Sequence, residues 1–125
     1  MVQKALAGLS LDGKKLLVIE NVGNLVCPST FDLGEQHKVA VLSVAEGDEK
    51  PAKYPALFTR AAAVIINKID LLPYVSFSVD RVKNDCAKLN ASAAIFPLSA
   101  KTGEGFEAWM EWCESLNPHP IPFPQ

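Results

Sequence analysis

The pattern of apolar and polar positions along this chain predicts strands that alternate with helices. Four runs of nearly continuous apolar residues are typical of strands that are buried on both faces of a parallel sheet. They occupy residues 14–20, 39–45, 61–66 and 93–98. The last run contains Pro97, which has no N–H to donate to a neighbouring strand. We therefore expect this strand to lie at an edge of the sheet or to end at Pro97.

Apolar residues at helical spacing predict the helices between these strands. Residues 79–89 carry one apolar stripe, and Ser78 is a suitable N-cap at their start. Shorter helices are expected at residues 2–9 and 54–62, separated by a loop and a charged, turn-rich stretch at residues 22–38 and 46–53. A final helix, residues 104–116, is expected to turn four apolar side chains inward: Phe106, Trp109, Met110 and Cys113. This order of elements predicts an α/β layered fold with a mostly parallel sheet.

Composition narrows the class of protein. A chain of 125 residues with 49% hydrophobic and 21% charged residues has the balance of one globular domain. The net charge of −2, with no long basic run, argues against a nucleic-acid partner, and no apolar run approaches the ~20 residues of a membrane span. Three cysteines form no disulfide framework and favour a reducing, cytoplasmic location.

Polar residues follow two of the predicted strands. Residues 67–70 (Asn-Lys-Ile-Asp) end the strand at 61–66, and residues 99–101 (Ser-Ala-Lys) end the strand at 93–98. Open α/β sheets bind ligands at the carboxyl ends of their strands. The carboxylate of Asp70 can accept two parallel hydrogen bonds from the ring N–H and the exocyclic amine of guanine. Adenine offers no such pair and would leave the carboxylate unpaired, which is costly.

The other residues of the two motifs have supporting roles in this interpretation. Asn67 either holds the loop or reaches the acceptor edge of the base. Lys68 can lay its aliphatic stem across a flat base while its charged end stays solvated. Ser99 and Ala100, followed by Lys101, can offer backbone N–H groups to the guanine carbonyl oxygen. Together, the two motifs predict a guanine-binding site.

The residue pattern of a second nucleotide motif is present, but the predicted elements around it are in the wrong order. Residues 8–14 fit the phosphate-loop pattern G-x-x-x-x-G-K. A phosphate loop follows a strand and opens a helix, whereas these residues follow a predicted helix and precede a strand. The next residue, Lys15, replaces the Ser or Thr that binds Mg²⁺. We reject this match, so the sequence offers a guanine-reading region without its main phosphate-binding region.

Four stretches together resemble the HypB family, GTPases that help to insert nickel into [NiFe]-hydrogenase. They are residues 20–28 (ENVGNLVCP), 31–35 (FDLGE), 46–55 (EGDEKPAKYP) and 67–74 (NKIDLLPY). The resemblance runs from about residue 9 to residue 112. It implies a partial P-loop GTPase (Rossmann-like) fold that lacks the phosphate-loop strand. Residues 1–116 would be the C-terminal portion of the GTPase domain, and 117–125 a proline-rich extended tail. We therefore expect a fragment that does not hydrolyse GTP alone.

The resemblance also implies roles for individual residues. Glu20 would hold Mg²⁺ through water, and Gly23 would let the backbone approach the γ-phosphate, which places both in the catalytic region. The guanine of GTP or GDP would be read by the six motif residues Asn67, Lys68, Asp70, Ser99, Ala100 and Lys101. Cys27 would be one ligand of a nickel or zinc site at a dimer interface. The implied partners are a second copy of the chain and hydrogenase maturation proteins of the nickel-insertion pathway.

Simpler interpretations remain open beside these. Glu20 alone also fits a solvated strand end, and one thiol, Cys27, is not by itself a metal site. Cys86 and Cys113 lie on apolar stripes, which favours packing. A urease-type or cobalamin-type metal-handling GTPase is an alternative, although urease-type relatives carry Cys-Pro-His where this chain continues differently after Pro28. A noncatalytic dimerisation or scaffold module is the alternative from another class.

Overall fold

The structure is a computed structural model, and it describes residues 16, 18, 20 and 37–116. Its described strands form one sheet in the order β1-β2-β3, with both pairs parallel. They are β1 (Val39–Ser43), β2 (Ala63–Asn67) and β3 (Ala94–Pro97). The prediction of an α/β fold with a parallel sheet is confirmed, and β3 is an edge strand that ends at Pro97, as expected.

Helices lie between and after these strands. They are α1 (Lys50–Lys53), α2 (Pro55–Arg60), α3 (Val79–Leu89) and α4 (Phe106–Ser115), with two 3₁₀ helices, Val44–Glu46 and Ile69–Tyr74. None of the described helices is long and apolar enough to cross a membrane. The bounds of α3 match the prediction, and Ser78 caps it, because its Oγ accepts the backbone N–H of Arg81 at 3.1 Å.

Two predictions of element bounds differ from the structure, one beside a proline and one at a capping serine. The helix expected at residues 54–62 is α2, which ends at Arg60. The additional helix α1 lies within the stretch at residues 46–53 that was expected to be turn-rich, and the two helices are separated at Tyr54. Pro55 disfavours the helical conformation at the residue before it, so the helix restarts there. The strand expected to reach residue 45 ends at Ser43, whose Oγ accepts the N–H of Ala45 at 3.1 Å and begins a 3₁₀ helix.

Each face of the sheet has its own apolar core. On one face, the sheet packs against α2 and α3, with buried side chains that include Leu42, Phe58, Val64, Ile66, Val82 and Cys86. On the other face, Phe96 and Leu98 pack with Phe106, Trp109 and Trp112 of α4. Met110 was expected to face inward but is 47% exposed. It lies about 100° around the helix from Trp109, which already faces the sheet.

Helix α4 does not cover its face of the sheet as far as β1. Val41 is 54% exposed, although its strand was expected to be buried on both faces. The side chains of α4 contact Phe96 of β3, at the opposite edge of the sheet, so the described residues leave Val41 uncovered.

The strand predicted at residues 14–20 is described only at Leu16, Val18 and Glu20. None of the three is in a strand, and Leu16 and Val18 are 52% and 77% exposed, so burial on both faces is wrong at these residues. The helix predicted at 2–9, most of the loop at 22–38 and the tail at 117–125 lie outside the described residues.

Candidate nucleotide site

The two sequence motifs lie side by side at the carboxyl ends of β2 and β3. The N–H of Leu98 donates to the carbonyl of Ile66 at 2.9 Å, and the N–H of Ile69 donates to the carbonyl of Leu98 at 3.2 Å. The parallel hydrogen-bonding pattern therefore continues past the end of β3. These bonds fix the loop that begins at Asn67 beside the loop that begins at Ser99.

Asn67 holds both loops through one side-chain oxygen. Its Oδ1 accepts the backbone N–H of Lys68 at 2.8 Å and that of Ala100, across the loops, at 3.1 Å. Lys68 has φ 65° and ψ 36°, the left-handed conformation, which costs a non-glycine residue roughly 1–2 kcal/mol. The first bond helps to offset this cost, and the second joins the two loops. The side chain of Lys68 is exposed at the site.

Ser99 positions the carboxylate of Asp70. The Ser99 hydroxyl donates to Asp70 Oδ1 at 2.8 Å, and the same Oγ accepts the N–H of Thr102 at 3.1 Å. Ser99 is fully buried, at 0% exposure, so water does not compete for this hydroxyl. The Oδ2 atom of Asp70 accepts no hydrogen bond from the residues that the structure describes. The carboxylate is thus oriented on one side and open on the other.

The loop after Ser99 closes on itself. The Ser99 N–H donates to the carbonyl of Glu104, and the Gly103 N–H donates to the carbonyl of Ser99, both at 2.8 Å. The N–H groups of Ser99 and Ala100, which the sequence suggested for a base oxygen, therefore already have acceptors within the protein. In residues 37–116, the backbone N–H of Lys101 is matched with no acceptor, and the residue is exposed.

The residues assigned to the phosphate and metal sites are described only in part. Glu20 is exposed, and Gly23 and Cys27 lie outside the described residues. His37 is exposed and approaches the ring of Trp112 edge-on, with 6.2 Å between the ring centroids. In the part of the chain that is described, three or more His, Cys, Asp or Glu side chains are nowhere grouped to hold a metal ion.

The described cysteines pack instead of presenting reactive thiolates. Burial, with a smaller contribution from the charge of Asp85, raises the pKa of Cys86 from 9.0 to about 11. The pKa of Cys113 is also raised, first by partial burial and then by Glu114. A metal-binding or nucleophilic thiol needs a lowered pKa. The packing interpretation of Cys86, which lies in the core, is confirmed.

Sequence reasoning gave no role to Gly105, which lies against the backbone where β3 ends. It has φ 75°, and a Cβ atom built on it would lie 2.3 Å from the carbonyl oxygen of Pro97. The only local signal was the pair of glycines, Gly103 and Gly105, just before the last helix.

Known proteins match most of this chain. Residues 2–97 match the family described as CobW/HypB/UreG, nucleotide-binding domain. The hydrogenase maturation factor HypB of Escherichia coli K12 is 50% identical over 115 residues, which are 92% of this chain and 40% of that protein. The probable HypB of Methanocaldococcus jannaschii is 43% identical over 114 residues, which are 91% of this chain and 52% of that protein. This chain thus spans about half or less of the length of these relatives.

Solved structures agree with the sequence matches. HypB of Archaeoglobus fulgidus superimposes with a TM-score of 0.71 at 41% identity, over 75% of this chain and 50% of that one. HypB of Helicobacter pylori, solved in complex with nickel, gives a TM-score of 0.69 at 41% identity, over 79% and 49% of the two chains. The resemblance to HypB is confirmed, and with it the P-loop GTPase class of the fold. The chain belongs to the CobW/HypB/UreG family of nucleotide-binding domains.

Proposed function

We propose that this chain carries the guanine-recognition region of a HypB-type GTP-binding protein that acts in nickel insertion during [NiFe]-hydrogenase maturation. The observation that supports it best is the pair of bonds between the two loops, Asn67 Oδ1 to the Ala100 N–H and the Ser99 hydroxyl to Asp70 Oδ1. They hold a carboxylate and a solvent-facing lysine together where α/β sheets bind nucleotides. Residues 1–116 are proposed as the C-terminal portion of a GTPase domain, and 117–125 as its proline-rich tail.

The contacts suggest how the base is read. The oriented carboxylate of Asp70 accepts the ring N–H and the exocyclic amine of guanine, with Oδ2 open for one of the two bonds. The backbone N–H of Lys101, which is unmatched within residues 37–116, donates to the guanine carbonyl oxygen. The stem of Lys68 covers one face of the ring. Adenine carries an amine where guanine carries this oxygen and lacks the ring N–H, so it is rejected at both edges.

Glu20 and Gly23 are proposed for the phosphate end of GTP. An exposed carboxylate such as Glu20 suits Mg²⁺, which prefers oxygen ligands and keeps several waters. Bound Mg²⁺ would neutralise the charge that develops on the phosphates. Gly23 would leave room for the backbone beside the γ-phosphate.

Nickel is proposed as the cargo of this protein, with Cys27 as one ligand. HypB of Helicobacter pylori was solved with nickel, and HypB of Helicobacter pylori strain J99, 47% identical over 98 residues, is named a hydrogenase/urease maturation factor. Zinc is a second metal for the same thiolate. We propose that a homodimer brings two copies of Cys27 together. Two thiolates still fall short of the three or four ligands of a tight site, so the proposed metal binding is weak and depends on the dimer. The proposed location is the cytoplasm.

The base preference tests the proposal directly. Isothermal titration calorimetry of the full chain with GDP and with ADP should show tighter binding of GDP by about tenfold or more. Hydrogen bonds to a charged group contribute about 1.5–3 kcal/mol each, and 1.4 kcal/mol is a factor of ten. Asp70→Asn should remove the preference for GDP and favour xanthosine diphosphate, whose second ring carbonyl accepts from the Asn amide.

Asp80→Asn is the matched control, because it makes the same charge change on the exposed first turn of α3. This variant should keep the wild-type preference. Equal affinities of the wild-type chain for GDP and ADP would refute guanine recognition. So would an Asp70→Asn variant that still prefers GDP.

A further inference from the structure

Gly105 lies against the backbone at the end of β3, where the loop that begins at Ser99 starts. Its φ of 75° is one that side chains rarely adopt. A Cβ atom there would lie 2.3 Å from the carbonyl oxygen of Pro97 and 3.2 Å from Cα of Leu98. Both neighbours are main-chain atoms, so no side chain can rotate away. Any larger residue must push the backbone at position 105 away from the end of β3.

The displaced backbone is the one that closes the loop. Glu104, the residue before Gly105, accepts the N–H of Ser99 through its carbonyl oxygen at 2.8 Å. Phe106, the residue after it, donates its N–H to the carbonyl of Gly103 at 3.1 Å and begins α4. A shift at position 105 therefore loosens the bond that holds Ser99 in place.

We propose that Gly105 is a positioning residue for guanine recognition. Its close approach to Pro97 and Leu98 holds the Glu104 carbonyl on the Ser99 N–H, and this fixes the hydroxyl that orients the carboxylate of Asp70. Gly105 touches no base, so it acts through Ser99. This inference rests on the proposed guanine-binding function and adds a residue that the two motifs do not contain.

Gly103 provides a matched comparison in the same loop. It also has a positive φ, 86°, but a Cβ atom built on it meets nothing within 4 Å. Alanine at either position is strained by its φ, and only at position 105 does it also collide with the backbone. The difference between the two alanine variants isolates the close approach from the preference of glycine for positive φ.

The experiment measures loop protection and base preference in Gly105→Ala and Gly103→Ala. In Gly105→Ala, hydrogen exchange at the amides of Ser99 and Thr102 should become about tenfold faster, with β2 amides unchanged, as expected for the loss of about 1.4 kcal/mol of local protection. The ratio of GDP to ADP affinity should fall by about the same factor. Gly103→Ala should change both quantities less.

Asparagine at the same two positions provides a second pair of variants. Asn tolerates positive φ better than Ala does, so Gly103→Asn should restore the wild-type exchange rates and the wild-type preference for GDP. Asn still carries a Cβ atom, so Gly105→Asn should restore neither quantity. Rescue by Gly105→Asn would overturn the close-approach argument.

Three further outcomes would overturn the inference. These are unchanged exchange at Ser99 in Gly105→Ala, equal effects of alanine at the two glycines, and faster exchange throughout β2, which would indicate a general role in stability. Hydrogen exchange needs no nucleotide. If the wild-type chain shows no preference for GDP, the proposed function fails on that result, while exchange still decides whether Gly105 orders the loop.

Discussion

Asn67 offers the sharpest test of how the two loops are joined. Replacing it with alanine removes the acceptor of two backbone N–H groups, those of Lys68 and Ala100. One buried or partly buried hydrogen bond contributes about 0.5–1.5 kcal/mol net. Both N–H groups lie near solvent and can bond to water instead, so we expect the loss to fall in the lower half of the summed range, about 1–2 kcal/mol.

The loss should be visible in urea denaturation followed by tryptophan fluorescence. Trp109 and Trp112 stack with 5.4 Å between ring centroids, and Trp109 packs edge-on to Phe96 at 5.5 Å. The emission of the two tryptophans therefore reports unfolding of the core between the sheet and α4. A loss of 1–2 kcal/mol corresponds to a fall in Tm of roughly 4–8 °C for a chain of 125 residues. The preference for GDP should fall together with stability, because Ala100 and Asp70 are no longer held at a fixed separation.

Asn67→Asp is the control for this prediction. Aspartate keeps an oxygen acceptor at the same distance from the backbone, so it should retain most of the stability that alanine loses. If aspartate destabilises the chain as much as alanine, or if alanine has no measurable effect, then Asn67 does not join the loops in solution.

Three more predictions follow from the structure and the sequence. Leu71 and Val75 are half-buried against the core that contains α2 and α3; their exposed parts are expected to contribute to self-association, which Leu71→Ala with Val75→Ala should weaken, and a concentration-independent monomer of the wild-type chain in sedimentation velocity would contradict this. Because the pKa of Cys86 is raised to about 11, its thiol remains protonated in the folded state while it ionises in the unfolded state, so the free energy of unfolding should fall from pH 9 towards pH 11, and less so in Cys86→Ala. We expect no steady-state GTP turnover by this chain in a phosphate-release assay, and turnover that disappears in Lys14→Ala would show that the rejected phosphate-loop match is real.

Sequence patterns were sufficient for the features that depend on neighbouring residues. The apolar stripe and N-cap of α3 are local, and their prediction was confirmed. The meeting of Asn67 and Ser99 also followed from the sequence, since each ends a strand and parallel strands align their carboxyl ends. The break at Tyr54 could have been predicted too, because Pro55 directly follows it.

The remaining features depend on contacts between distant parts of the chain. Whether Val41 or Met110 is covered is decided by where α4 lies on the sheet, and periodicity within one element does not contain that information. Gly105 is required by a main-chain oxygen eight residues earlier, which the local sequence does not reveal. The hydrogen bonds of Ser99 and Ala100 likewise appear only once the loop is closed.

Under the proposed function, the hydrogen bonds within the two loops separate the choice of base from the strength of nucleotide binding. Asn67, Ser99 and the Glu104 carbonyl hold the loops with protein atoms alone, so ordering them costs little when a nucleotide binds. If the chain binds nucleotide as proposed, selection between guanine and adenine depends on the oriented carboxylate of Asp70, whatever the strength of the phosphate contacts. Most of the affinity of GTPases for nucleotide comes from the phosphates, where backbone N–H groups, a lysine and Mg²⁺ act on concentrated charge. It follows that weak binding by this chain and a clear preference for guanine are compatible, and that the ratio of affinities, not the affinity itself, is the quantity that reports on this site.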